Sequence, residues 1–220
     1  STPPHATGDP VLEKLAEQIG ALKNLERIVY LSTIGVYGDY QCAWIDEGAL
    51  CKPSNERSHW RLAAEQEWQA MGRELNVPTD VLRLAGIYGP GQNVLTQLKA
   101  GTARRIVKQG QVFNRIHVED IARSIKACLE SDEPGSVWNV CDDERSPPQD
   151  VITCAAALMD VQPPPELDFD TADLSPMARS FYSECKRCSN RALKEKLGVE
   201  LAYPSYREAL QALFAAGDGK

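Results

Sequence analysis

The feature that most constrains this chain is a repeated switch of hydrophobic period. Arg27–Ser32 is a short, nearly continuous apolar run, the pattern of a parallel strand covered on both faces. Asp80–Ala85 and Ser136–Val140 have the same character, and Arg105–Val107 and Gln111–Phe113 are shorter strand-like pieces. Between these runs the period lengthens to that of a helix. Asp9 precedes Pro10 as an N-cap before a first-turn proline, and Val11, Leu12, Leu15, Ile19 and Leu22 share one face. Ser54 opens a long helix to Leu75, striped by Trp60, Ala64, Trp68, Met71 and Leu75. Further helices are expected from Val94 to Ala100, up to Glu130, and over 148–160, 190–197 and 205–215. The glycine-bearing stretches 33–53 and 86–91 read as loops. Strands alternating with helices build an α/β fold on a parallel sheet.

Charge and cysteine usage narrow the class. The 24 basic and 31 acidic residues give a net charge of −7, which argues against a general affinity for nucleic acid or anionic membranes. No run of eighteen apolar residues offers a membrane span. Ser1–Ala6 has neither the basic flank nor the apolar stretch of a signal peptide. The seven cysteines are odd in number and scattered, so reduced thiols in a cytoplasmic protein are expected. Cys185 and Cys188 have redox-motif spacing, but no second pair follows for zinc. His5, His59 and His117 lack metal-ligand spacing, and no metal site is expected. Serine-hydrolase elbows, Walker loops and zinc-protease motifs do not occur. Gly89–Val94 follows a strand and precedes a helix, yet its third glycine position is Val94, so it reads as a structural turn.

Four local patterns carry a resemblance. Leu31–Gly38 is similar to the strand-end motif of extended short-chain dehydrogenases/reductases, and Arg83–Pro90 resembles that family's RxxNxYGP segment. Arg115–Ala122 resembles its HVxDxA helix start, and Trp138–Val140 its (Y/W)NV strand. Ser175–Tyr182 and Ala202–Glu208 bring the chain nearest to atypical NAD(P)-dependent epimerase/dehydratase-like members. The resemblance implies a partial Rossmann-type, doubly wound parallel sheet over 1–147. A small, mostly helical substrate-side subdomain over 148–220 would pack against it. It also implies that about 70 residues of the family fold, with the glycine-rich turn and the ribose-reading acid, lie upstream of Ser1.

The family's active site uses a strand-end Ser/Thr, a Tyr acid/base and a Lys one helical turn on. Residues i and i+4 share a helix face, so the last two point at one ligand. The resemblance places the hydroxyl at Thr33, beside Ser32, and puts Arg57 and Arg61 at the Tyr and Lys positions. A guanidinium can hold a ribose or phosphate in the lysine's place, but cannot transfer protons near neutral pH. Two arginines on a solvated face are the simpler reading of this pair. Cofactor-lining residues are expected to be Ser32, Thr33, Arg61, Leu84, Ala85, Gly86 and Ile87, with Gly86 where the family has Asn. Substrate contacts are expected from Arg115, His117 and Arg179, although a buried, hydrogen-bonded histidine is the simpler reading of His117, and Arg104-Arg105 and Lys186-Arg187 are further candidates for an anionic ligand. The family's diphosphate-clamping Arg is replaced by Phe113, which counts against a nucleotide-sugar substrate.

The implied function is an NAD(P)-dependent oxidoreductase or epimerase/dehydratase acting on a polar small molecule, such as a sugar derivative. NAD or NADP would be held by the intact protein. The Arg57/Arg61 replacement leaves two other readings open: a non-catalytic NAD(P)-binding or sensing protein, and a truncated fragment without cofactor binding. The expected partner is a small-molecule substrate, with no nucleic acid or membrane partner and room for a homo-oligomer.

Overall fold

The computed structural model describes residues 2–220. The chain enters through helix α1 (Pro10–Gly20), strand β1 (Ile28–Thr33), a 3-10 turn at Ile34–Tyr37 and the short strand β2 (Trp44–Ile45). Helix α2 (Glu56–Leu75), strands β3 (Thr79–Leu84) and β4 (Gly86–Tyr88), helix α3 (Val94–Lys99) and strand β5 (Arg105–Val107) follow. Strand β6 (Arg115–His117) runs directly into α4 (Val118–Glu130), and β7 (Val137–Val140) comes next. The remainder carries α5 (Pro148–Leu158), β8 (Glu166–Asp168), α6 (Pro176–Phe181), β9 (Arg187–Cys188), α7 (Arg191–Glu195) and α8 (Tyr206–Ala216).

The main sheet has the order β1-β3-β7 and is parallel throughout, with Tyr30 opposite Val81 and Leu82 opposite Trp138. Side chains on a strand alternate between faces. Ile28, Tyr30 and Val81 therefore meet Ala64 and Trp68 of α2, backed by Val11 and Leu12 of α1. Leu82, Leu84, Trp138 and Val140 meet Ile121 and Cys128 of α4 and Leu193 of α7. Helices thus cover both faces, as a parallel sheet requires. A further apolar cluster joins Leu95 of α3 to Val151 and Ala155 of α5 and Leu210 of α8.

Several expectations are corrected. Residues 86–91 are not all loop, because Gly86–Tyr88 pairs in parallel with Arg115–His117 as β4 and β6. The expected strand at 111–113 shrinks to one bridge from Phe113 to Ser146. Asn55, not Ser54, caps α2, accepting from Ser58 N at 3.0 Å. The strands β2, β8 and β9 and the six-residue helix α6 are too short to show a period.

The cysteine expectation also fails. Cys42 and Cys185 form a disulfide, with Cα atoms 4.4 Å apart and 143 residues between them in sequence. The cause is strand pairing. In the parallel ladder of β2 and β9, Trp44 lies opposite Arg187 and Ile45 opposite Cys188, and the same offset puts Cys42 beside Cys185. Cys188 is a free buried thiol, so the CxxC spacing is not a bonded pair. No helix of the described residues is long and apolar enough to cross a membrane.

Candidate active site

A buried polar network underlies the carboxyl ends of β1 and β3. Arg83, 6% exposed, pairs with Glu65 of α2, 2% exposed, at 2.7 Å. Ser32 donates its hydroxyl to the same Glu65 carboxylate. The Arg83 guanidinium lies over the Tyr37 ring at 4.7 Å, and Tyr37 Oη donates to Asn139 Oδ1 at 2.8 Å. A buried ion pair of this kind holds together only when further hydrogen bonds satisfy its remaining groups, and here they do. The network joins residues from three of the four sequence motifs to Glu65 of α2.

Above it, two adjoining cavities of about 760 and 420 Å³ share Thr33, Gly35, Phe181 and Glu184 in their walls. Their position outside the carboxyl ends of parallel strands is where α/β sheets place ligands. Thr33 ends β1, and its Oγ1 accepts from Gly35 N at 3.1 Å, which leaves the hydroxyl proton free to donate. Leu84, Ala85, Gly86 and Ile87 form one wall of the smaller cavity. A Cβ on Gly86 would stand 3.2 Å from the Asn114 carbonyl oxygen, so the backbone approaches closely there. Arg115 lines the same cavity, its Nη1 donating to Ser146 Oγ at 2.8 Å and to the Phe113 carbonyl at 3.2 Å. Arg57 stands exposed on the wall of the larger cavity.

Four expected site residues lie outside these walls. Ser32 points to the opposite face from Thr33 and is engaged by Glu65. Arg61 donates to Tyr30 Oη at 2.8 Å and to the Leu31 carbonyl at 3.3 Å, pinning α2 to β1. Burial pushes the Tyr30 hydroxyl up to about 12, against the opposing charge of Arg61. His117 is buried between the Tyr88 and Tyr203 rings, and its Nδ1 accepts from Glu119 N at the start of α4. Burial lowers its pKa, so the neutral ring is favoured. Arg179 donates to the Ala172 carbonyl at 2.9 Å and covers the Phe169 ring, tying α6 to the β8 loop.

Two wall residues, Phe181 and Glu184, were not foreseen, while Lys186 was a candidate for an anionic ligand. Phe181 from α6 and Glu184 and Lys186 on the way into β9 close the cleft opposite Thr33. Lys186 is buried, with Nζ 2.6 Å from Glu184 Oε2, and Ser54 donates to the other Glu184 oxygen. The basic Lys186-Arg187 pair was the one sequence signal near them. The Gly89–Val94 turn is closed by the chain itself. Asp218 Oδ2 accepts from Gly91 N at 2.9 Å, so a carboxylate occupies the backbone donor a phosphate would need.

Comparison with known proteins identifies the family and the fold. The model of the NAD dependent epimerase/dehydratase family matches residues 10–141. A conserved protein of unknown function from Silicibacter pomeroyi superimposes with a TM-score of 0.92 at 53% identity, over 99% of this chain and 77% of that one. The UDP-glucuronic acid 4-epimerase of Bacillus cereus, solved with NAD, superimposes with a TM-score of 0.75 at 18% identity, over 94% of this chain and 65% of that one. That likeness is one of Rossmann-type fold. Protein YeeZ of Escherichia coli K12 is 26% identical over 140 residues, 64% of this chain and 48% of that protein. The chain thus spans about half the length of this curated relative.

Proposed function

This chain belongs to the NAD-dependent epimerase/dehydratase family, and from that premise we propose that the cleft above β1 and β3 is the active site of an NAD(P)-dependent oxidoreductase or epimerase/dehydratase acting on a sugar derivative or similar polar small molecule. The observation that carries this reading is the convergence of Thr33 with Leu84–Ile87 on one cavity. The residues fit the nicotinamide end of a dinucleotide: a strand-end hydroxyl, a close-approach glycine at 86 and an apolar wall. NAD or NADP, when bound, supplies or accepts a hydride. Thr33 would donate a hydrogen bond to a substrate oxygen and orient it. Arg115, fixed by Ser146 and Phe113, would attract an anionic or hydroxyl-rich group, and Arg57 would add charge at the outer wall.

A second reading has its own support. Arg57 occupies the acid/base position, and a guanidinium does not exchange protons near neutral pH. That favours a protein that binds NAD(P) without turning over substrate.

Calorimetric titration of NADH, NADPH and reduced nicotinamide mononucleotide tests the assignment. At least one should bind, and Gly86→Val, which would push a side chain against Asn114, should weaken it about tenfold or more. If none binds to folded protein, the reading of a fragment without cofactor binding is favoured over both. Binding without hydride transfer to any keto-sugar or sugar nucleotide supplied would select the second reading.

A further inference from the structure

The segment 38–43 leaves β1 in a tight and unusual turn. Gln41 and Cys42 are consecutive non-glycine residues in the left-handed region, at φ 51° and 63°. The segment approaching β9 holds this turn in place. Tyr40 N and Cys42 N both donate to the Cys185 carbonyl, at 3.1 and 2.8 Å, and Cys185 N donates to Asp39 Oδ1 at 2.7 Å. The same turn reaches the cleft, because Lys186 Nζ donates to the Gly38 carbonyl at 2.6 Å as well as to Glu184. Gly38 is confined in turn, at φ 70° with the Lys52 carbonyl where its Cβ would be.

We propose that Cys42 and Cys185 are a reversible thiol–disulfide site whose state sets the position of the Glu184–Lys186 pair on the cleft wall. Oxidised, the sulfur bridge clamps the turn in its left-handed conformation. Reduced, the turn is free to leave that conformation, and Lys186 loses the fixed Gly38 carbonyl. The ladder from Trp44 to Cys188 keeps the two thiols side by side in the reduced form, so the bond can re-form in the same place.

The reactant is a low-molecular-weight disulfide of the glutathione class, RSSR. Cys42 is half-buried and Cys185 buried, so exchange enters at Cys42. Its thiolate attacks one sulfur of RSSR, forming a mixed disulfide and releasing RS⁻. The Cys185 thiolate then attacks Cys42 Sγ, forming the Sγ–Sγ bond and releasing the second RS⁻. Two electrons pass to RSSR, and the two thiol protons end on two RSH. Reduction by RSH runs the same steps backwards. Cys188 does not compete, since it is fully buried and burial pushes its thiol up to about 12.

This site stands apart from the proposed cofactor chemistry, and its test needs no cofactor. The wild-type protein is equilibrated in glutathione buffers of stepped ratio, free thiols are trapped with a maleimide, and the labelled peptides are read by mass spectrometry. Cys42 and Cys185 should gain and lose label together, while the buried Cys128, Cys141 and Cys188 do not change with the ratio. In parallel, hydrogen exchange should quicken about tenfold on reduction at Tyr40, Cys42 and 184–187, with β1 and β3 unchanged. Cys42→Ser should exchange like reduced wild type at every ratio, and Cys188→Ser should follow wild type. A pair that stays oxidised or reduced across the whole series would overturn the proposal. So would equal exchange at 184–187 in the two states.

Discussion

Ser32 and Thr33 are neighbours in sequence and in motif, yet they serve two different regions. Ser32 belongs to the closed network of Glu65, Arg83, Tyr37 and Asn139 under the cleft, where the buried charges are paired. Thr33 belongs to the open wall above, where its hydroxyl proton and the exposed Arg57 charge face the cavities. One step along a strand reverses the face. Motif membership therefore does not say whether a residue serves the fold or a ligand; the face it occupies does. Substitutions below the cleft should be read out as stability, and those on its wall as binding.

The largest effect should come from the network's centre. Glu65→Ala strands the Arg83 charge in the interior and should cost about 3–5 kcal/mol in denaturant unfolding. Replacing both partners with methionine should recover much of that loss, since a buried pair often contributes little over an apolar isostere. A cost under about 1 kcal/mol for Glu65→Ala would place this pair with ordinary surface bridges and erase the contrast.

Asp142 sharpens the comparison from a point between the two regions. It follows β7, its N–H donates to the Arg115 carbonyl at 2.7 Å, and its Oδ2 is buried with no partner among the described residues. Burial raises its carboxyl from 3.8 to about 7, against the pull of Arg115 and Arg145. The unfolded chain ionises this group near its ordinary value, and the folded chain only near pH 7. Its contribution to stability is therefore complete below about pH 4 and is lost as pH rises to about 7, on the order of 4 kcal/mol at most. Asp142→Asn should flatten the fall in stability measured between pH 5 and pH 8. An unchanged slope would show that Asp142 is ionised in the fold.

Thr33→Val should cost only about 1 kcal/mol, the loss of a capping hydroxyl at the 3-10 turn. Its effect on nicotinamide affinity should be larger than that, about tenfold, because the lost donor faces the cavity. If stability falls further than binding, Thr33 belongs with Ser32 rather than with the wall.

The sheet and most helices were legible because period survives in one sequence: β1, β3, α2 and α4 each run long enough to repeat it. Thr33, Arg57 and Leu84–Ile87, which the motif resemblance pointed to, do lie on the cavity walls. Phe181 and Glu184 were not legible, because α6 and β9 are too short for a period; Lys186 was visible only as half of a basic pair, and the pairing of β9 with β2 beside it has no local signal. The same long-range pairing hid Cys42 and Cys185, whose separation of 143 residues carries no local signal. Ser32 lies off the wall for a reason the strand pattern already contains, since two adjacent strand residues face opposite sides.

Arg57 offers the smallest expected effect on the fold and the cleanest separation of the two regions. It is exposed, and the guanidinium reaches the larger cavity without joining the network beneath. Arg57→Ala should therefore change stability by no more than about 0.5 kcal/mol, as for a surface position free of caps and buried partners. Arg61→Ala, on the same helix face, should cost more, because it breaks the bonds to Tyr30 and Leu31 that dock α2 on β1. The two arginines that the resemblance sets at the Tyr and Lys positions thus split between the two regions. Arg57→Tyr carries the comparison into chemistry, restoring a phenol at the position that the family uses for proton transfer. A gain of hydride transfer in Arg57→Tyr, with cofactor affinity unchanged, would show a wall complete except for its acid/base. No gain, with Arg57→Ala weakening only anionic ligands, would assign Arg57 to ligand charge and favour the binding protein over the enzyme.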